Sequence, residues 1–266
     1  MNGAQSNRLT LPASVRGRRV GFSAVMFAAA WLVAGAGSRA GAVEQPVAAA
    51  VSPAVEAQMR TAIADAWHDA TTTWNDLLGA RAYDSDIPQI NFVKVVRPSH
   101  CYGLYVGSGP VYCSGNNTVF VSLEEMQRLS LRLGPTAGAG LAFLVAHELG
   151  HHVQKILGRF RVLQALVREN PRLQRELSVR FELEADCLAG VWAGNSPVFA
   201  RSETERSNII STLGAIGDDQ MRASEGPMLD PTTFTHGTSE QRLKWYRAGF
   251  ESRSMSTCSV LEAATY

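Results

Sequence analysis

Hydrophobic positions along the chain change period twice. After Ser52-Pro53, an N-cap followed by a first-turn proline, Val55, Met59, Ile63, Ala66, Trp67, Ala70, Trp74 and Leu77 recur at intervals of three or four up to Gly79. That spacing predicts one long amphipathic helix with both tryptophans in the core. Between Ile90 and Leu123 the pattern shortens to β-prone runs, Ile90 to Val96, Gly103 to Val106, Pro110 to Cys113 and Thr118 to Ser122, broken by Gly, Pro, Ser and Asn. Thr118 to Ser122 is expected to form an edge that could accept an extended ligand strand. Helical periodicity then returns: Leu123 to Leu133, Ala137 to Leu157, Arg161 to Glu169, Pro171 to Ala193, Glu203 to Ser224 and Ser239 to Phe250. No repeat and no second composition boundary appears, so the pattern predicts one α+β domain over residues 53–258, with a small antiparallel or mixed sheet and a mainly helical remainder.

Composition adds little until the charge is divided along the chain. The 266 residues carry 25 Lys+Arg against 24 Asp+Glu, which speaks against a basic nucleic-acid binder. Residues 1–42, however, hold Arg8, Arg16, Arg18, Arg19 and Arg39 and no acid, leaving 20 basic and 24 acidic residues beyond them. An apolar run from Val20 to Ala36 follows the arginines, and Ala40-Gly41-Ala42 suits signal peptidase. Residues 1–42 thus read as a signal peptide or, at about 17 apolar residues, a short anchor in the membrane through residues 20–36. Either way the remainder is exported, to the periplasm, the medium or the outer side of the cytoplasmic membrane. Residues 43–52 read as a linker and 259–266 as a tail.

In an exported chain an even cysteine count favours disulfides. No Cys-x-x-Cys spacing suggests a metal site. Cys101 and Cys113 flank a short Gly-rich stretch and predict a bridge across a hairpin, and Cys187 with Cys258 follows by elimination.

The helix from Ala137 contains His147-Glu148-Leu149-Gly150-His151. Four residues apart, His147 and His151 project from one face and can converge on one zinc ion, while Glu148, about 100° round the helix, can reach a water without being a ligand. Leu141 to Ala146 is apolar all round, which marks a buried helix; burying two histidines and a glutamate there without a metal would be costly. Zinc keeps three protein ligands in catalytic sites. Phe181-Glu182-Leu183-Glu184-Ala185-Asp186 supplies carboxylates on a second helix, and Glu182 and Asp186 share a face. One could bind zinc while the other accepts the free N–H of a ligating histidine. Glu184, about 200° from Glu182, points away and is expected to be dispensable.

These residues resemble the bacterial putative neutral zinc metallopeptidase family, of the Glu-zincin type, in which His-Glu-x-x-His is followed by Glu-x-x-x-Asp on a later helix. The resemblance covers roughly residues 53–258 and rests on Gly109 to Cys113, Ala146 to Gln154, Glu182 to Ala193, and His236-Gly237-Thr238-Ser239-Glu240-Gln241-Arg242. It implies a zincin-like fold, one zinc per chain on His147, His151 and Glu182, Glu148 as general base, Asp186 behind a ligating histidine, and a peptide or protein substrate. His236 has two readings: a donor to the oxyanion formed on the substrate carbonyl, or a cap for the following helix. His152 reads as a packed residue. Two other functions fit the same residues: a catalytically silent, zinc-stabilised envelope binding or chaperone-like protein, and a zinc hydrolase of a non-peptide substrate.

Overall fold

A computed structural model describes residues 52–79, 87–102, 109–133, 137–223, 229–263 and 266. The expected leader, nearly all of the linker and the β-prone run Gly103 to Val106 lie outside these residues. The elements are α1 (Pro53–Leu78), β1 (Gln89–Val93), β2 (Val111–Cys113), β3 (Thr118–Ser122), α2 (Leu123–Leu133), α3 (Ala137–Ile156), α4 (Arg159–Glu169), α5 (Gln174–Asn195), α6 (Glu203–Ile216), α7 (Asp218–Met221) and α8 (Ser239–Ser252). The class is α+β, a three-stranded mixed sheet beside a larger helical body.

Helix α3 is the axis of the domain. Leu141, Ala142, Phe143, Val145, Ala146, Leu149 and Val153 are all buried, and the apolar face of α1 (Met59, Ile63, Ala66, Ala70, Trp74) packs against it in two adjoining clusters. Ser52 caps α1 through the Val55 N–H. Trp192 of α5 donates its indole N–H to Asp69 of α1 at 2.7 Å, closing the body on that side.

Two close helix approaches depend on glycine. A Cβ on Gly150 would lie 2.9 Å from the Ala185 carbonyl oxygen, so this residue lets α3 run against α5. A Cβ on Gly249 of α8 would overlap the Cys187 carbonyl of α5. The helices carrying the histidines, the acidic pair and the His236–Arg242 block are thereby drawn together.

The sheet order is β1-β3-β2, with β1 parallel and β2 antiparallel to β3. This corrects the expectation for Thr118 to Ser122: all five residues are buried and both edges are paired. The outer strand on the α3 side is β2. Cys101 pairs with Cys113 (S–S 2.05 Å) and Cys187 with Cys258 (S–S 2.03 Å). Cys101 sits in a 3₁₀ turn, so the first bridge ties that turn to β2. The expected helix Glu203 to Ser224 is also corrected. It breaks at Gly217, whose extended backbone (φ −66°, ψ 149°) ends α6 and starts the short α7.

Candidate metal centre

The Gly150 contact sets two turns of α3 beside two turns of α5, and the side chains that meet there are polar in an otherwise apolar body. His147 Nε2 lies 3.2 Å and His151 Nε2 3.4 Å from the same oxygen, Oε2 of Glu182. Ligand atoms about 2.0–2.1 Å from a tetrahedral zinc stand about 3.3 Å apart, so the His-His-carboxylate set fits that ion in both donor chemistry and spacing. These three are the residues that could hold a metal among the described side chains.

Asp186 stands one turn beyond Glu182. Its Oδ1 lies 2.8 Å from His147 Nδ1, and a carboxylate only accepts, so Nδ1 carries a proton and Nε2, turned toward Glu182, is the ring atom that can bind a metal. Asp186 is fully buried and is held by Arg242 of α8, whose Nη2 and Nε each donate to one carboxylate oxygen at 2.9 Å. Burial alone would raise the Asp186 carboxyl, but the Arg242 guanidinium and His147 keep it below its ordinary value. The role of Arg242 was not anticipated. Its signal in the sequence was its place at the end of the His236–Arg242 block.

The histidines respond to the acids around them. Burial would lower the His147 imidazolium, yet Asp186 and Glu182 outweigh it and raise it to about 10. Burial likewise works against ionised Glu182, but His151 and His147 hold its carboxyl well below the usual range.

Glu148 is 8% exposed and stands outside this trio. Its Oε2 accepts the Tyr112 backbone N–H of β2 at 2.6 Å, which fixes the carboxylate between α3 and the sheet. Burial pushes its carboxyl up, an effect that His147 and His151 only partly offset.

A cavity of about 280 Å³ opens on this face, lined by His147, Glu148 and His236 together with Gly109, Pro110, Met126, Leu144, Arg128 and Arg132. His236 thus lines the same cavity as Glu148. Its loop is pinned by Asp218, whose Oδ2 accepts the backbone N–H groups of Thr235 and His236 at 2.7 Å and of Gly237 at 3.0 Å. Thr238 caps α8 in a reciprocal pair with Gln241, so the capping role falls to Thr238 rather than His236. His152 is fully buried with Nδ1 3.0 Å from the Tyr112 hydroxyl, a packed position.

The sequence profile of the putative neutral zinc metallopeptidase family matches residues 20–261, and the chain belongs to that family. Among curated proteins it is 36% identical over 154 residues to the uncharacterized protein YpfJ of Escherichia coli (strain K12), covering 57% of this chain and 54% of YpfJ. It is 30% identical over 168 residues to the uncharacterized proteins Mb2605 of Mycobacterium bovis and Rv2575 of Mycobacterium tuberculosis, covering 59% of this chain and 56% of each. The aligned stretch therefore spans about half the length of these curated relatives. No solved structure matches the chain significantly.

Proposed function

We propose that this chain is an exported zinc-dependent endopeptidase. The observation that carries the reading is the aim of His147 and His151 at one Glu182 oxygen, with Glu148 beside them on the cavity wall and uninvolved in the trio. A zinc ion held by His147, His151 and Glu182 would supply a Lewis acid for the scissile carbonyl and lower the pKa of a water.

The chain's own residues do the rest. Glu148 takes the proton of the attacking water and returns it to the leaving amine, a role suited to a carboxyl whose proton affinity burial has raised. Tyr112 keeps the Glu148 carboxylate in place through its backbone N–H. Asp186, with Arg242 behind it, keeps His147 in the tautomer that offers Nε2. His236, on a loop that Asp218 holds rigid, faces the cavity where an oxyanion would develop. With β3 closed on both sides, an extended peptide would instead lie along Gly109 and Pro110 at the head of β2.

Export rests on the basic, apolar leader at residues 1–42 and on two disulfides, which persist in oxidising compartments. Among the described residues no helix is long and apolar enough to cross a membrane; the anchor proposal concerns residues 20–36 alone. A purely zinc-stabilised binding protein would have no use for a buried, unliganded Glu148. The test is cleavage of an unbiased peptide library by the purified chain. Cleavage should stop on chelation and return with zinc; a zinc-loaded chain that cuts nothing would refute the peptidase reading.

A further inference from the structure

Among the described residues, His151 has an amide behind it where His147 has a carboxylate. Its Nδ1 lies 2.8 Å from Oε1 of Gln154, three residues further along α3. An amide can present either an oxygen or an NH2 group, so what the other end meets decides which one faces His151. Gln154 Nε2 lies 2.8 Å from the Phe181 carbonyl oxygen and 3.2 Å from Oε1 of Glu184.

Both neighbours act only as acceptors here. A carbonyl oxygen has no proton to give, and Glu184 faces Arg159, whose Nε and Nη2 donate to its two oxygens at 2.8 Å each. Turning the amide over would set its oxygen against two others. Gln154 is fully buried, so water could not repair the clash. The amide is therefore locked with Oε1 toward His151. That oxygen can only accept, so Nδ1 of His151 carries a proton, which leaves Nε2, turned toward Glu182, as the ring atom for a metal.

We infer that Gln154, locked by Glu184 and Arg159, is a positioning residue that selects the tautomer and orientation of His151 for metal binding. The inference rests on the zinc reading above. It revises the expectation for Glu184. That residue points away from the metal trio, yet at 2% exposure it anchors the amide that governs one member of it. Arg159 in turn pairs with Glu262 at 2.6 and 2.8 Å, so the segment after the Cys187–Cys258 bridge closes the chain of contacts. The two histidines are thus supported by different devices, a buried carboxylate for His147 and a polarised amide for His151.

The test is zinc affinity of the zinc-stripped, disulfide-intact chain, read by competition with a chromophoric chelator. Gln154→Leu should weaken binding by about 10- to 100-fold, as losses behind a metal ligand do. Gln154→Met fills the same space without the amide and should lose a comparable amount. An unchanged affinity in Gln154→Leu overturns the inference, and so does a parent-like affinity in Gln154→Met, since that would make Gln154 only a packing residue. A measurement free of variants is imidazole nitrogen NMR of the zinc-loaded parent. Zinc on His151 Nε2 with the proton on Nδ1 supports the inference, and zinc on Nδ1 overturns it. A parent chain that takes up no zinc overturns the zinc reading and the inference together, whereas a parent that binds while the variants do not differ removes the inference alone.

Discussion

Arg242 and Asp186 form a fully buried, two-bond ion pair, with each carboxylate oxygen 2.9 Å from a guanidinium nitrogen and one of them also 2.8 Å from His147 Nδ1. Removing one partner of such a pair strands the other charge in an apolar body. Arg242→Ala should therefore cost about 3–5 kcal/mol of stability, read from chemical denaturation of the zinc-free chain. A loss no larger than that of an exposed substitution would show that Asp186 finds other support.

On the metal side, Glu182→Ala should abolish zinc binding, because both imidazole Nε2 atoms converge on this carboxylate. Asp186→Ala should weaken binding by about 10- to 100-fold. Titration of the two variants orders them, and a Glu182→Ala chain that still holds zinc as tightly as the parent would contradict the ligand assignment.

The bridges differ in the length of chain they close, 71 residues apart for Cys187–Cys258 and 12 for Cys101–Cys113. The chain-entropy relation gives about 4 kcal/mol for the first and about 3 kcal/mol for the second. Cys258→Ser should therefore lower the denaturation midpoint more than Cys101→Ser does. The reverse order would point to strain relief or residual structure in the unfolded chain.

Asp218 sets a pH dependence. Burial works to raise its carboxyl, but the His236 ring and the backbone N–H groups of His236 and Thr235 outweigh this and hold it below its ordinary value of 3.8. A carboxyl depressed on folding stabilises above its unfolded value and loses that contribution as pH falls through its folded one. The stability gap between the parent and Asp218→Asn should close as pH falls below about 4. A gap that went on widening below that pH would contradict the sign.

Much of this was legible because it depends on short-range spacing. The i, i+4 rule put His147 with His151 and Glu182 with Asp186, and the three-four periodicity of Met59 to Trp74 marked the buried face of α1. What escaped depends on contacts between segments distant in sequence. Arg242 reaches Asp186 across 56 residues and Arg159 reaches Glu184 across 25, and no local pattern reports either. For Glu184 a helix wheel says that it points away from the metal trio, but not that the Gln154 amide and the Arg159 guanidinium meet it there. Thr118 to Ser122 has the composition of any strand, and only pairing shows that it is central. Gly217 lies within an otherwise helical run, and its extended conformation follows from Asp218, whose backbone N–H donates to the Gly237 carbonyl and whose side chain holds the His236 loop.

The central claim is that Glu148 moves protons and does not hold the metal. The most direct measurement is zinc content alongside peptide hydrolysis in Glu148→Gln. The account predicts about one zinc per chain, as for a site whose three protein ligands are intact, with hydrolysis lost by about two to four orders of magnitude from the missing general base. Retained turnover, or a variant that comes out empty of zinc, would contradict it.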